Sequence, residues 1–399
     1  MKKYQKLLGF LSAVAFLGLT SAPATAQVTT IGQNGGRVIT SAVPFLIIAP
    51  DARASGMGDM GVATTADVNS IHWNPGKLAR VQDDIGLGIS YTPWLAALNL
   101  TDDMSISYLS GFYKLSKERT IGVAMKYFDL GNFQETFDNG EEGQLYSPRE
   151  FSFAASYSQM LTQYLSAGVS VRYARSQLLG TFSNPTSQAQ AANTVAADVG
   201  FYYTRDIVIA GKTAYWSAGT SVSNLGPKVT YTDESRRDFI PSNFRLGTAL
   251  ATDLDPYNQF TLGVEVNKLM VPTPRERDPD TGLPIGTPVD SLTWLQGTFG
   301  SFSDAPDGFA EELSEFTVSV GAEYWYNKTF AARAGYFHEA ATKGNRKYIT
   351  LGLGFRYNVF GIDFAYLTAL AQRHPLDDTL RFSLHFKFDN GKGDESITE

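Results

Sequence analysis

From residue 84 to residue 389 the chain alternates apolar and polar positions with a period of two, the spacing that separates the two faces of a β-strand. The last such stretch is the clearest: Leu380, Phe382, Leu384, Phe386 and Phe388 are interleaved with Arg381, Ser383, His385 and Lys387. The same pattern sets Phe316, Val318, Val320, Ala322 and Tyr324 against Thr317, Ser319, Gly321 and Glu323. It recurs at Phe260, Leu262, Val264 and Val266, and again at Ile349, Leu351, Leu353 and Phe355. Each stretch is about the nine to eleven residues that a tilted membrane-spanning strand needs. Alternation alone reads the same in a soluble sandwich, viewed backwards.

The connections favour a barrel. About fourteen strands are predicted, near 84–94, 103–115, 120–129, 150–161, 164–175, 195–205, 212–223, 243–253, 257–268, 315–326, 329–338, 347–357, 360–370 and 379–389. Short links such as Ser116–Arg119, Leu161–Gln163, Asp255–Pro256 and Asn327–Lys328 alternate with long ones at Gly131–Arg149, Ser176–Thr194, Asn224–Pro241 and Leu269–Ser314. Outer-membrane barrels have this rhythm, with tight periplasmic turns and long surface loops. A chain entering from the periplasm then has both termini periplasmic and its long loops at the cell surface. The longest loop, with Pro272, Pro274, Pro279, Pro284 and Pro288, is too rich in proline to be sheet. Tyr91 with Trp94, and Tyr324-Trp325-Tyr326, fall at opposite strand ends and are expected in interfacial girdles.

Ahead of the strands stands a segment with a different pattern. An apolar run from Phe45 to Ala49 is closed by Pro44 and Pro50, too short to span a bilayer and barred by its prolines from a continuous sheet. It passes through Asp51, Arg53, Gly56 and Gly58 to Trp73, Asn74 and Pro75. The expectation is a plug inside the barrel. Gly56 and Gly58 read as a tight turn needing positive φ. Asp51, Arg53, Asp59 and Asp67 require partners on the lumen wall, because an unpaired buried charge is costly; Arg245, Glu265, Glu323 and Arg333 are the candidates. In particular, Arg53 is expected to latch the plug to a wall carboxylate.

Composition adds exclusions. The net charge is -7 and the pI about 5.3, so no nucleic-acid surface is expected. The chain has no cysteine, which rules out disulfides, thiolate metal sites and lipoprotein acylation. Lys2, Lys3 and Lys6, the apolar Leu7–Leu19 and the small-residue site Ala24-Thr25-Ala26 form a secretion signal. The chain thus divides into a signal peptide (1–26), a periplasmic N-terminal segment and lumenal plug (27–83), a transmembrane barrel (84–389) and a periplasmic tail (390–399). The four histidines, His72, His338, His374 and His385, have no metal or triad spacing, and no catalytic, cofactor or metal residue is assigned.

The block Ala52-Arg53-Ala54-Ser55-Gly56-Met57-Gly58-Asp59-Met60-Gly61-Val62-Ala63-Thr64, followed by Trp73-Asn74-Pro75, resembles the N-terminal region of FadL-type outer-membrane barrels. With Ser41–Asp51 before it and Ser90-Tyr91-Thr92-Pro93-Trp94-Leu95 after it, the chain resembles the PorV (LptO) family of the type IX secretion system. One departure is Gly76, where the FadL pattern has alanine. The resemblance implies an all-β, antiparallel, FadL-like transmembrane barrel of about fourteen strands with an N-terminal plug, and no enzymatic residue. It further implies binding of the C-terminal domains of secreted cargo at the translocon barrel and delivery to a PorU-like attachment complex, in contact with outer-membrane lipid and lipopolysaccharide. Two other readings are a FadL-like transporter of hydrophobic small molecules, gated by Phe45–Ile48, and a surface lipid A deacylase.

Overall fold

In the computed structural model the described residues are 37–95, 104–136, 140–178, 190–209, 211–232, 237–275, 278, 281, 284–371 and 374–389. The expected signal peptide and C-terminal tail lie outside them. Among the described residues the strands are Ile85–Pro93 (β1), Ser105–Ser116 (β2), Arg119–Asp129 (β3), Phe133–Thr136 (β4), Glu142–Tyr146 (β5), Arg149–Met160 (β6), Leu165–Gln177 (β7) and Ala192–Ile209 (β8). They continue as Lys212–Leu225 (β9), Asn243–Asp255 (β10), Asn258–Leu269 (β11), Phe316–Tyr326 (β12), Phe330–His338 (β13), Lys347–Tyr357 (β14), Phe360–Ala369 (β15) and Thr379–Phe388 (β16). β4 and β5 form a separate hairpin in a long connection; the other fourteen close into one barrel in which each pairs antiparallel with its neighbours. The seam joins β1 to β16, with Ile89 opposite Leu384 and Ser90 opposite Ser383.

The burial of the two faces separates barrel from sandwich. Leu87, Ile89, Val169, Val171, Leu351, Leu353, Phe382 and Leu384 point out and are exposed, while Ser90, Ser170, Thr350, Arg381, Ser383 and His385 point in and are buried. A soluble sandwich would do the reverse. Apolar side chains on the outside of a closed ring need lipid around them. The fold is therefore a membrane β-barrel, and no helix among the described residues is long and apolar enough to cross a membrane. At the short-turn end, Asn327 and Lys328 both take left-handed φ, 51° and 52°, the geometry that matches a two-residue hairpin to strand twist.

Alternation also corrects part of the expected aromatic girdles. Tyr91, Tyr324 and Tyr326 face out and are exposed. Trp325, between two outward tyrosines, turns in, where Arg333 and Arg356 lie over its ring at 5.5 and 5.3 Å. Trp94 stands just past the end of β1 and packs against the plug cluster and edge-on to Phe128.

The plug runs through the barrel from one end to the other. Arg37 pairs with Asp307 and Glu311 in the β11–β12 connection, the Ala42 N–H donates to the Phe239 carbonyl, and the Val43 N–H donates to the Tyr231 hydroxyl in the β9–β10 connection. At the other end, Arg80 donates to the carbonyls of Thr162 and Gln163 in the tight β6–β7 turn. The described N-terminal segment therefore begins among the long connections, at the end opposite Phe388. Its expected position beside the C-terminal strand end is corrected accordingly. The physical reason is that β1 starts at the short-turn end, so a segment that fills the lumen before β1 reaches that end from the other mouth.

Candidate functional site

The apolar run forms a 3-10 turn, Pro44–Ile47, held high in the lumen. Pro44 opens the turn and is exposed, while Phe45 and Leu46 are fully buried among Ile106, Phe128, Ala174, Ala196, Val229 and Ile240. Burial of that kind is worth about 1.5–3 kcal/mol per large side chain. A wall lysine gathers the carbonyls at the end of the turn: Lys126 Nζ, itself buried, donates to Ile48 O at 2.7 Å and to Leu46 O and Phe45 O at 3.3 and 3.4 Å. Pro50 is buried just below and ends the run.

Asp51 then caps a single helical turn, Ala52–Ser55 (α1), accepting from the Ala54 N–H at 2.9 Å while its other oxygen accepts from Trp73 Nε1 at 2.7 Å. One carboxylate thus joins the two halves of the plug. Ser383 Oγ on the last barrel strand accepts from the Ala52 N–H, and bonds Ser90 Oγ on the first. The plug is stitched at the seam.

Arg53 makes a forked contact with Glu323 on β12, Nε to Oε2 at 3.1 Å and Nη2 to Oε1 at 2.9 Å, and its Nη1 reaches Asp67 at 2.9 Å. Glu323 is shared with Arg333, which also pairs with Asp363 at 2.8 Å. Asp59 pairs with Arg381 and accepts from the Tyr348 hydroxyl, both at 2.7 Å. Glu265 takes the backbone N–H groups of Gly61 and Val62 at 2.7 and 2.8 Å rather than a plug charge. Of the four wall candidates, Glu323 meets Arg53; Arg245 lies over the Trp73 ring at 5.3 Å and near Glu265, and Arg333 bonds other wall residues. Arg381 was missed, although its place on the polar row of β16 was readable.

Asn74 and Pro75 follow Trp73 at the end of a second helical turn, Ser70–Trp73 (α2). Asn74 is fully buried; its amide donates to the carbonyls of Val62 in the plug and Phe201 in the wall, and its oxygen accepts from the Gly76 N–H at 2.9 Å. Pro75 opens the next 3-10 helix, Pro75–Arg80. The approach is so close that a Cβ at Gly200 would sit 2.1 Å from Asn74 Oδ1, and one at Gly76 2.7 Å from the Gly200 carbonyl oxygen. An alanine at residue 76 does not fit this wall, which accounts for the departure from the FadL pattern.

Gly56 and Gly58 divide their expected role. Gly56 has right-handed φ and is needed for space, its Cβ position lying 3.0 Å from the Cα of Gly352. Gly58 alone has positive φ, 76°, and it packs against the backbone of Tyr336.

The histidines are dispersed. His72 is buried in the plug edge-on to Trp73, His338 bonds Tyr336, and His374 lies in the β15–β16 connection. His385 lies 2.6 Å from Asp363, a pairing of adjacent polar rows that spacing did not reveal. Asp363 also holds Arg333 and Arg356, so the carboxylate is committed to a charge network.

Among solved structures, the chain resembles the toluene transporter TbuX of Ralstonia pickettii with 12% identity and a TM-score of 0.48, covering 86% of this chain and 100% of that one. The Pseudomonas putida toluene transporter TodX matches with 12% identity and a TM-score of 0.48 over 85% of this chain and 98% of that one. A Pseudomonas aeruginosa FadL homologue matches with 10% identity and a TM-score of 0.42 over 88% of this chain and 100% of that one. The search of curated protein sequences returned no match. The family model described as "Type IX secretion system protein PorV" matches residues 31–276, more than half of the chain and the whole of the plug. This outer-membrane barrel belongs to the PorV family of type IX secretion system proteins.

Proposed function

We propose that this barrel binds the C-terminal domains of secreted cargo as they leave the type IX translocon barrel, and carries them to a PorU-like attachment complex. The family match is the observation that supports this reading most. In it the long connections face the cell surface and the apolar outer wall meets lipid, lipopolysaccharide and the translocon. The plug is consistent with such a role: Phe45 and Leu46 have no exposed surface and their carbonyls are held by Lys126. A filled lumen leaves the mouth and the flank as working surfaces, and long loops can grip a folded β-domain. No catalytic residue is needed.

The test is co-purification from native membranes. The reading expects translocon and cargo to come with the barrel, and a deletion strain to lose surface-attached cargo. A solitary barrel, with cargo still secreted and attached after deletion, would overturn it. The transporter alternative makes the opposite demand, that uptake of a hydrophobic small molecule should depend on this protein while cargo attachment does not.

A further inference from the structure

The longest connection carries two short helices, Trp294–Gly300 (α3) and Phe309–Ser314 (α4). Each turns polar or small residues inward and large apolar ones out. In α3, Gly297 packs on Phe239 and Pro272, while Leu295 and Phe299 one turn apart are 49% and 57% exposed. In α4, Glu312 is buried, while Phe309 and Leu313 are 75% and 54% exposed. Phe302 lies between the helices and is also exposed. Five large exposed apolar side chains thus fall within 19 residues, more apolar surface than water alone favours.

The register shows where this patch lies. Phe244, Lys268 and Phe316 are direct partners across β10, β11 and β12. By alternation they belong to the outward row that continues through Leu246, Val264 and Val320, all exposed to the surroundings of the barrel. Phe302 packs edge-on against Phe244, 5.9 Å between rings, and Lys268 Nζ is 5.6 Å from the Phe302 ring. Lys268 is fully buried and paired with Glu312 at 2.7 Å and Glu315 at 2.5 Å. A cation on a lipid-facing row requires acidic partners, and this connection supplies them by folding over the rim onto the outside of the wall.

We propose that Leu295, Phe299, Phe302, Phe309 and Leu313 form a foot that seats the longest connection in the outer interfacial layer of the bilayer, beside β10–β12. The occupant is lipid, because Phe302 continues the lipid-facing row at Phe244 and α4 is pinned to that row through the Glu312–Lys268 pair. Short amphipathic helices bind membrane interfaces in this way, with the apolar face sunk to the headgroup boundary.

The natural chain has no cysteine, so single labels can be placed cleanly. Phe299→Cys, Phe309→Cys, Leu313→Cys and, as a control in the same connection, Thr287→Cys would each carry an environment-sensitive fluorophore. The purified barrels would be placed in phosphatidylethanolamine–phosphatidylglycerol vesicles with or without nitroxide-labelled lipid, after a gel shift on heating confirms that each variant is folded. Nitroxide lipid is expected to quench the three foot positions about twofold more than the control, and aqueous iodide to quench them less. Equal iodide quenching at all four positions, with no lipid quenching, would overturn the proposal and leave the patch as a site for a protein partner.

Discussion

Arg53 serves two tethers at once, Glu323 on the wall and Asp67 further along the plug. Removing one partner of a buried charge pair is strongly destabilising because the other is left without compensation. Glu323 keeps Arg333, so Arg53→Ala is expected to lose about 3 kcal/mol, the low end of that range, read as a lower temperature for the gel shift that marks barrel unfolding. Arg53→Lys should recover only part of it, since an ammonium cannot reproduce the forked contact. A steric prediction concerns Gly335, where a Cβ would lie 2.1 Å from the Gly58 nitrogen. The three nearest atoms, two of Gly58 and one of Met57, are all backbone, so none can yield by changing rotamer. Gly335→Val is expected to destabilise by about 1–3 kcal/mol and raise protease sensitivity of the plug. At this scale the sequence marked Arg53 because a charge among small residues needs a partner, but not which of several wall carboxylates would supply it. That choice depends on how deep the plug threads, which local pattern does not encode.

The connections behave as elements of their own. Glu311 on α4 lies outside the membrane-spanning strands; burial pushes its carboxyl up, but hydrogen bonds from Lys343, the Asp307 N–H and Arg37 hold it down to about 2. A carboxylate held below its ordinary value of 4.5 stabilises the folded arrangement above that pH and loses the contribution as pH falls towards 2. Glu315, bonded by Lys268, Lys343 and Thr273, is lowered in the same direction against its own burial. Protection factors of the backbone amides of 294–315, taken relative to the intrinsic exchange rate at each pH, should therefore be lower at about pH 2.5 than at neutral pH, and Glu311→Gln should flatten that response. The fourteen barrel strands were legible because a closed sheet with lipid outside keeps strict alternation along most of its length. α3 and α4 were not, since the prolines of this connection masked two helices of seven and six residues.

The whole molecule is a ring around a threaded segment held by many small anchors. If the plug works as a seal, fixing it should do no harm. Cysteines at Ala52 and Ser383, whose backbone nitrogen and Oγ are 2.9 Å apart, can be joined by oxidation or a short cross-linker. Surface attachment of cargo is expected to be unchanged by the cross-link, whereas a gate would be locked. The course of the plug was hidden from sequence because both ends of a lumenal segment look alike in composition; contacts of Arg37 and Arg80 with opposite mouths define it.

The seam between β1 and β16 also constrains how the protein is made. Residues 37–84 lie inside a ring that their own continuation begins, and Ser383, near the end of the chain, contributes to both the ring closure and the plug contact. A finished ring would have to be pierced to admit the segment. Assembly must then bring the last strand to the first around a segment already laid in place, so the final step of biogenesis wraps the wall about its contents.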